Sequence, residues 1–182
     1  MKNELNEQTV IFEENFEVNS PTAEKWEFSD RDGNNKNWYW NNSKSTKKQI
    51  ELKGFSGNAC ISISSDVLHR NDKSKEIDNL LISPPINLPS SGRLFLSFQI
   101  GAYSEDLPKE HYAVYILLAD KIFKEDETPV FEETLTSNEV NAAAVRNIDI
   151  TDYTGKEIKV YFRHFKSKQY AIILDNVKIT QQ

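Results

Sequence analysis

The sequence is poor in the residues that build disulfides, metal–thiolate centres and membrane spans. Its 182 residues include one cysteine, Cys60, and three histidines, His69, His111 and His164. One cysteine cannot form an intramolecular disulfide or a cysteine-based zinc site, and the histidines are too far apart in sequence for a local metal-binding helix motif. No stretch approaches the roughly 18 apolar residues of a membrane helix, and the N-terminus lacks the apolar core of a signal peptide. These shortages argue against most metalloenzyme classes and against membrane insertion.

Positive charge is also scarce, since 22 lysines and arginines face 28 aspartates and glutamates and the net charge is −6. A protein that binds nucleic acid through counterion release needs a basic surface, so we expect no nucleic-acid partner. The apolar fraction is nevertheless 38 %, with 11 % aromatic residues, which suffices for a hydrophobic core. We therefore expect one domain over residues 8–182, preceded by a flexible N-terminus at residues 1–7.

The dominant pattern is an alternation of apolar and polar residues with a period of two, which is typical of half-buried β-strands. In residues 93–101, Leu94, Leu96 and Phe98 share one face, and Phe95 and Ser97 share the other. The pattern predicts ten short strands, at residues 10–16, 38–40, 59–64, 80–82, 93–101, 111–119, 130–135, 145–150, 157–165 and 170–179. Because turn-rich segments rather than long helical patterns separate them, we predict an all-β fold, an antiparallel β-sandwich of jelly-roll type.

The predicted core consists of apolar residues that alternate along these strands. We expect it to contain Leu94, Leu96, Phe98, Val114, Ile116, Ile158, Val160, Phe162 and Ile172. The best helical candidate is residues 137–144, with Ser137 as its N-cap, and it is at most about two turns long. Helices are therefore not expected to form a layer of the fold.

A short acidic loop is the first candidate for a cation site. Asp30, Arg31, Asp32, Gly33 and Asn34 concentrate hard oxygen ligands around a glycine, which suits calcium. The loop is not an EF-hand, because residue 41 is not the expected glutamate and no helices flank it. The competing interpretation is an ordinary Asp/Gly turn between strands.

Asp175 is the second candidate, because it interrupts an otherwise apolar strand at the end of the chain. Burying an unpaired carboxylate costs several kcal/mol, so Asp175 needs a charged partner, a metal or a position at a strand end. Sandwiches commonly pair their terminal strands, which makes Glu13, Glu14 and Glu17 candidates to join it. The alternative is a solvated Asp175 that faces outward near Lys178.

Candidate ligand-binding residues are Trp38, Trp40 and Glu110. The two tryptophans could stack on sugar rings, although aromatic residues in a strand more often belong to the core. Glu110, with a neighbouring acid such as Asp106, could supply the carboxylate pair of a glycosidase. The sequence contains no nucleophile elbow, P-loop or Ser-His-Asp spacing, so we expect no catalytic residues and no enzyme.

Five blocks, in order along the chain, resemble the cleaved-adhesin domains, also called choice-of-anchor J domains, of gingipain-type surface proteins from Bacteroidetes. The blocks are FEENFE at 12–17; Trp26 with DRDG at 30–33 and Trp38; DNLLISPPI at 78–86; LSF at 96–98 leading to EHYAVY at 110–115; and VYFRHF at 160–165 with LDNV at 174–177. Any one block is weak evidence, whereas the ordered set covers nearly the whole chain.

The resemblance implies a fold similar to galactose-binding-like domains, structural calcium and an adhesive role without catalysis. For the calcium ligands it implies Glu17, Asp30, Asp32 and Asp175, with Asn34 or backbone carbonyls completing the set.

The chain departs from the family pattern in three places. The family usually has tryptophan at Leu80, a second acid at Asn176 and a denser acidic loop at Gly33-Asn34-Asn35. Fewer acids imply weaker calcium binding or one fewer ion.

Two classes of function follow from these observations. We favour a non-catalytic extracellular adhesion module that presents loops 30–48, 66–78 and 103–110 to a glycan or a protein. The alternative is an accessory carbohydrate-binding domain of a secreted glycoside hydrolase, or a small glycosidase that uses Glu110. We expect a monomer that is secreted or displayed at the cell surface, with any export signal lying outside the given sequence.

Overall fold

The computed structural model describes residues 8–40, 54–55, 57–63, 76–140 and 143–182. Within these ranges twelve strands form: β1 (Thr9–Glu14), β2 (Glu27–Asp30), β3 (Trp38–Trp40), β4 (Cys60–Ile63), β5 (Asp78–Ile82), β6 (Ile86–Asn87), β7 (Leu94–Ala102), β8 (His111–Leu118), β9 (Phe131–Thr134), β10 (Ala144–Asp149), β11 (Glu157–Phe165) and β12 (Ala171–Gln181). Helical structure in the same ranges is limited to 3₁₀ turns at Ala23–Lys25, Ser137–Glu139 and Thr151–Tyr153. No helix in the described part of the chain is long and apolar enough to span a membrane.

The strands form two six-stranded antiparallel sheets, which confirms the predicted β-sandwich of jelly-roll type. The first sheet has the order β10-β7-β12-β4-β3, and the second has the order β2-β5-β11-β8-β9, with β6 also paired to β11. Strand β12 pairs with β4 through its first half and with β1 through its second half, where Glu14 lies opposite Val177. The first and last strands of the chain are therefore neighbours.

The core lies between the sheets and contains every residue predicted for it. Each of the nine predicted side chains is at most 5 % exposed. Phe98 of β7 and Phe162 of β11 meet edge to face across the sandwich, with ring centroids 5.2 Å apart. The alternation read from the sequence therefore identifies the inward face of each sheet correctly.

One local prediction, the N-cap of the short helical segment, is wrong. The segment around Ser137 forms a single 3₁₀ turn, and its N-cap is Thr136 rather than Ser137. Thr136 Oγ1 accepts a hydrogen bond from the Asn138 N–H, and the Glu139 carboxylate accepts one from the Thr136 N–H, which is a capping box. The predicted flexible N-terminus at residues 1–7, and the loop segments at 41–48 and 66–75, lie outside the described residues.

Candidate functional site

Asp175 is buried in the middle of β12, at a break in the strand's regular pairing. Its side chain is 0 % exposed, and the register between β12 and β7 shifts between Asp175 and Lys178. Asn176 takes a left-handed conformation, with φ of 49°, and its N–H donates to Asp175 Oδ1 at 2.7 Å. Burial, followed by repulsion from Glu17 and Glu14, raises the pKa of Asp175 to about 7. The bulge thus presents a desolvated carboxyl group toward the first strand.

Glu14 ends β1 and is 1 % exposed. Its Oε1 accepts the Phe16 N–H at 2.6 Å, and its Oε2 accepts Trp26 Nε1–H at 3.1 Å and the Thr22 hydroxyl. Phe16, which has φ of 53°, turns the chain sharply after the strand. These contacts hold the carboxylate of Glu14 beside the last strand without neutralising its charge.

Glu17 is held by the segment that precedes β4. Asn58 donates to it twice, from its backbone N–H and from Nδ2, each at 2.8 Å. Gly57 has φ of +71°, and a Cβ built on it would lie 2.0 Å from Glu17 Oε1, so the carboxylate occupies the space of a side chain. Asn58 is 3 % exposed, and its Oδ1 has no hydrogen-bond partner among the described residues.

Glu14, Glu17 and Asp175 therefore form an acidic group, which we name the terminal-strand cluster together with Asn58. Within the described ranges, no ion pair involves any of its three carboxylates. The described residues also contain no three His, Cys, Asp or Glu side chains already converged enough to hold a metal ion. A cation bound here would require the carboxylates to draw together or would need backbone carbonyls as further ligands.

The acidic loop after β2 lies elsewhere and is satisfied locally. Asp30 accepts the N–H groups of Gly33 and Asn35 at 2.7 and 2.8 Å. Asp32 accepts those of Asn34 and Asp78 at 2.9 and 3.0 Å. The carboxylates thus close a turn at the end of β2, an edge strand of the second sheet, whereas Asp175 lies in the first sheet. Of the five predicted calcium ligands, the structure brings together Glu17 and Asp175 and groups Asp30, Asp32 and Asn34 separately.

Glu110 belongs to a buried polar network rather than to an open face. It is 0 % exposed, and its Oε2 lies 2.8 Å from Nε2 of His164. Ser167 Oγ–H and the Tyr170 N–H also donate to Glu110. A surface ligand or substrate therefore cannot reach the Glu110 carboxylate in this structure.

The same network contains a serine–histidine–carboxylate arrangement. Nδ1 of His164 lies 2.9 Å from Ser62 Oγ, on the opposite side of the ring from Glu110. Ser62 is 0 % exposed, its Oγ accepts Asn79 Nδ2–H at 3.2 Å, and the ring of Trp38 packs edge-on against His164. Because Ser62 is fully buried, its Oγ is not accessible to a substrate in this structure, and the arrangement links β4 to β11.

The two tryptophans proposed as ligand contacts have different surroundings. Trp38 is 4 % exposed and donates through Nε1 to the Asn79 carbonyl at 3.2 Å, so it is a core residue. Trp40 is half-buried, and its ring centroid lies 6.0 Å from that of Phe28, which is 37 % exposed. Only Trp40, of the three predicted ligand contacts, borders the surface.

Comparison with known proteins gives a consistent picture. The family model described as Cleaved Adhesin Domain matches residues 9–179. Gingipain R1 of Porphyromonas gingivalis is 29 % identical in an alignment 180 positions long that covers 94 % of this chain. Hemagglutinin A of the same species is 29 % identical in an alignment 186 positions long, gaps included, that covers 96 % of this chain. The crystal structure of the K1 Cleaved Adhesin domain of Lys-gingipain from P. gingivalis W83 superimposes with a TM-score of 0.71 and 26 % identity, over 94 % of this chain and 98 % of that one.

The chain corresponds to a small part of its curated relatives. The aligned segment covers 10 % of Gingipain R1 and 8 % of Hemagglutinin A. The likeness therefore concerns one domain of those proteins and not their whole activity.

Proposed function

Since the chain belongs to the Cleaved Adhesin Domain family, we propose that it is a non-catalytic binding module of an adhesin, acting outside the cell on a glycan or a protein. The match over residues 9–179 is the observation that carries this proposal, because it includes all twelve described strands except the last two residues of β12. A rigid sandwich with variable loops is a common scaffold for such binding. We further propose that the protein is secreted or displayed at the cell surface.

Adhesion can be tested with the purified chain on a glycan array and on a panel of extracellular proteins. Saturable binding to defined glycans or proteins is the expected result. The control is the same chain after thermal denaturation, which reports adsorption of unfolded protein. Equal signals from the wild type and this control would contradict the adhesive function.

The non-catalytic part of the proposal rests on the position of Glu110. Its carboxylate is enclosed and accepts hydrogen bonds from Ser167 and Tyr170, so it cannot protonate a glycosidic oxygen. We expect no turnover when the chain is incubated with glycoside and peptide substrates. Reproducible turnover by the purified chain would favour the hydrolase alternative.

We also propose that the terminal-strand cluster binds a structural calcium ion. Calcium prefers six to eight oxygen ligands, and the cluster offers three carboxylates and the Oδ1 of Asn58, to which no described residue donates a hydrogen bond. The left-handed Phe16 and Asn176 turn the backbone on both sides of the cluster. A bound dication would compensate charge that the described residues leave uncompensated, and it would link the first strand to the last.

Calorimetric titration of the chelated protein tests the calcium proposal and the composition of the site. We expect saturable calcium binding, much weaker magnesium binding, and loss of the calcium signal in Asp175→Asn. Asp30→Asn is the matched control, because Asp30 was predicted as a ligand but closes a separate turn. An equal loss of affinity in Asp30→Asn, or no saturable heat in the wild type at millimolar calcium, would contradict this assignment.

A further inference from the structure

The connection between β8 and β9, residues 119–130, folds over the outer face of the second sheet; we call it the strap. Phe123 of the strap packs edge-on against Tyr115 and lies 5.4 Å from Tyr161, centroid to centroid. Arg31 lies over the same ring at 5.0 Å. Glu125 of the strap pairs with both Arg31 and Arg163, so the strap is anchored to the sheet by one ring and one carboxylate.

A cleft of about 530 Å³ opens between the strap and the sheet. This volume lies within the range of roughly 300–1,000 Å³ that is usual for ligand sites. Its apolar wall includes Ile77, Pro129 and Phe165. Its charged lining comprises two cations, Arg163 and Lys166, and five carboxylates, which are Glu76, Asp78, Glu125, Glu127 and Glu132.

Both cations of the cleft are already neutralised. Arg163 donates to the two oxygens of Asp78 at 2.7 Å each and to Glu125 at 2.7 Å. Lys166 lies 3.3 Å from Glu132. Paired groups of this kind present little positive charge to a ligand, so an anionic ligand is disfavoured.

The remaining carboxylates are incompletely compensated. Glu127 makes no ion pair within the described ranges, and the only partner of Glu76 there is Lys168 at 3.9 Å, with both side chains more than half exposed. The lining residues therefore carry a formal charge of −3, from five acids and two bases, and Arg31, which pairs with Asp78 and Glu125, brings the charge around the cleft to −2. Tyr115 and Phe165 are only 3 % and 7 % exposed, so neither offers an open ring face on which a sugar could stack.

We propose that this cleft receives a lysine or arginine side chain of a protein partner. The aliphatic stem of such a side chain would lie along Pro129, which is half-buried, and its charged end would approach Glu127 and Glu76. This inference rests on the proposed adhesive function and specifies the chemistry of the ligand. It selects a basic protein surface over a glycan.

The test uses a fluorescently labelled synthetic peptide of alternating glycine and arginine, with the same peptide carrying citrulline in place of arginine as its uncharged control. Fluorescence anisotropy with the whole chain should show saturable binding of the arginine peptide and at least tenfold weaker binding of the citrulline peptide. Equal binding of both peptides, or no saturable binding of either, would overturn the proposal.

Two charge reversals distinguish the cleft from general electrostatic attraction. Glu127→Lys removes the uncompensated acid and should weaken the arginine peptide at least tenfold. Glu157→Lys makes the same change in net charge at the N-terminal end of β11, whereas the cleft lies at the C-terminal end of that strand. It should change the affinity for the arginine peptide by less than about twofold. Equal weakening by both variants would contradict a defined site. Adhesion to an extracellular protein that persists in Glu127→Lys would overturn the inference while leaving the proposed function intact.

Discussion

Two fully buried carboxylates, Glu110 and Asp175, are accommodated in opposite ways. Glu110 accepts hydrogen bonds from Ser167 and Tyr170 and lies beside His164, so its burial is compensated within the fold. Among the described residues, Asp175 accepts only from Asn176, and the charged groups that act on it, Glu17 and Glu14, are also acidic. The uncompensated group is therefore Asp175, and this contrast makes the terminal-strand cluster the candidate cation site.

Asp175 also predicts how the stability of the chelated protein depends on pH. Its pKa is raised to about 7 in the folded chain from an ordinary value of 3.8, so between these pH values the folded state holds a proton that the unfolded state has lost. The free energy of unfolding should therefore fall as pH rises from about 4 to about 7, by on the order of 4 kcal/mol. Urea denaturation in EDTA at several pH values measures this slope.

The matched control for this slope is Asp175→Asn, which cannot ionise. The variant should lack the decrease and should be more stable than the chelated wild type above pH 7. A similar slope in both proteins would show that other groups titrate in this window and would contradict the prediction.

Gly57 provides a test of how closely Glu17 is held. Gly57→Ala should reduce calcium affinity and stability, because the new Cβ would collide with the Glu17 carboxylate. Gly33→Ala is a matched control, since Gly33 has nearly the same φ, +70°, and no atom of the described residues outside its chain neighbours lies within 4 Å of the added Cβ. In both variants the strained backbone should lower the free energy of unfolding by about 1 kcal/mol. Only Gly57→Ala should also weaken calcium binding. Equal calcium affinities measured by calorimetry would contradict the role of this close approach.

At the scale of strands, alternation in the sequence identified ten of the twelve, and the two others have little pattern to detect. Strand β2 contains one apolar residue, Phe28, and β6 has only two residues between proline-rich segments. Both are held by pairing with β5 and β11 rather than by their own composition. Short strands of this kind depend on tertiary context, which a local pattern does not contain.

The candidate cation site was predictable only in part, for a similar reason. The apolar neighbours of Asp175 and the pairing of terminal strands led to Asp175, Glu13, Glu14 and Glu17, of which Glu13 instead pairs with Lys178 at 2.8 Å. The sequence did not predict that Asn58 belongs to the site, because Asn58 is 41 residues from Glu17 in sequence and contacts it only in the folded chain. The family resemblance placed Asp30 with Asp175. In the structure, the Asp30 carboxylate instead accepts hydrogen bonds from backbone N–H groups of its own turn.

The contact between the two sheets predicts the cost of core truncation. Phe98→Ala or Phe162→Ala should each lower the free energy of unfolding by about 3 to 5 kcal/mol, through lost burial and the cavity left behind. Because the rings touch, the double variant should lose less than the sum of the two. Urea denaturation measures these values, with Val145→Ala as the control, since Val145 is 63 % exposed on an edge strand and should change stability by less than about 0.5 kcal/mol. Additive losses would contradict the direct coupling.

At the scale of the whole molecule, the chain ends are joined in one place. Strand β1 pairs only with β12 among the described strands, and Glu14 at its end also anchors Thr22 and Trp26. The second sheet receives no contribution from either terminal strand. Calcium at the terminal-strand cluster would therefore stabilise the N-terminal segment more than the second sheet.

This asymmetry predicts a local effect of calcium removal that hydrogen exchange can measure. In EDTA the amides of β1 should exchange at least tenfold faster than in calcium, because the ion no longer links Glu14 and Glu17 to Asp175 and the strand opens locally. Amides of β8 and β11, in the interior of the second sheet, should change little, and they serve as the internal control. Asp175→Asn in calcium should exchange like the chelated wild type in β1. Equal acceleration of amide exchange in β1 and β11 would show that calcium stabilises the whole fold. No acceleration of amide exchange in β1 would show that no ion links the chain ends.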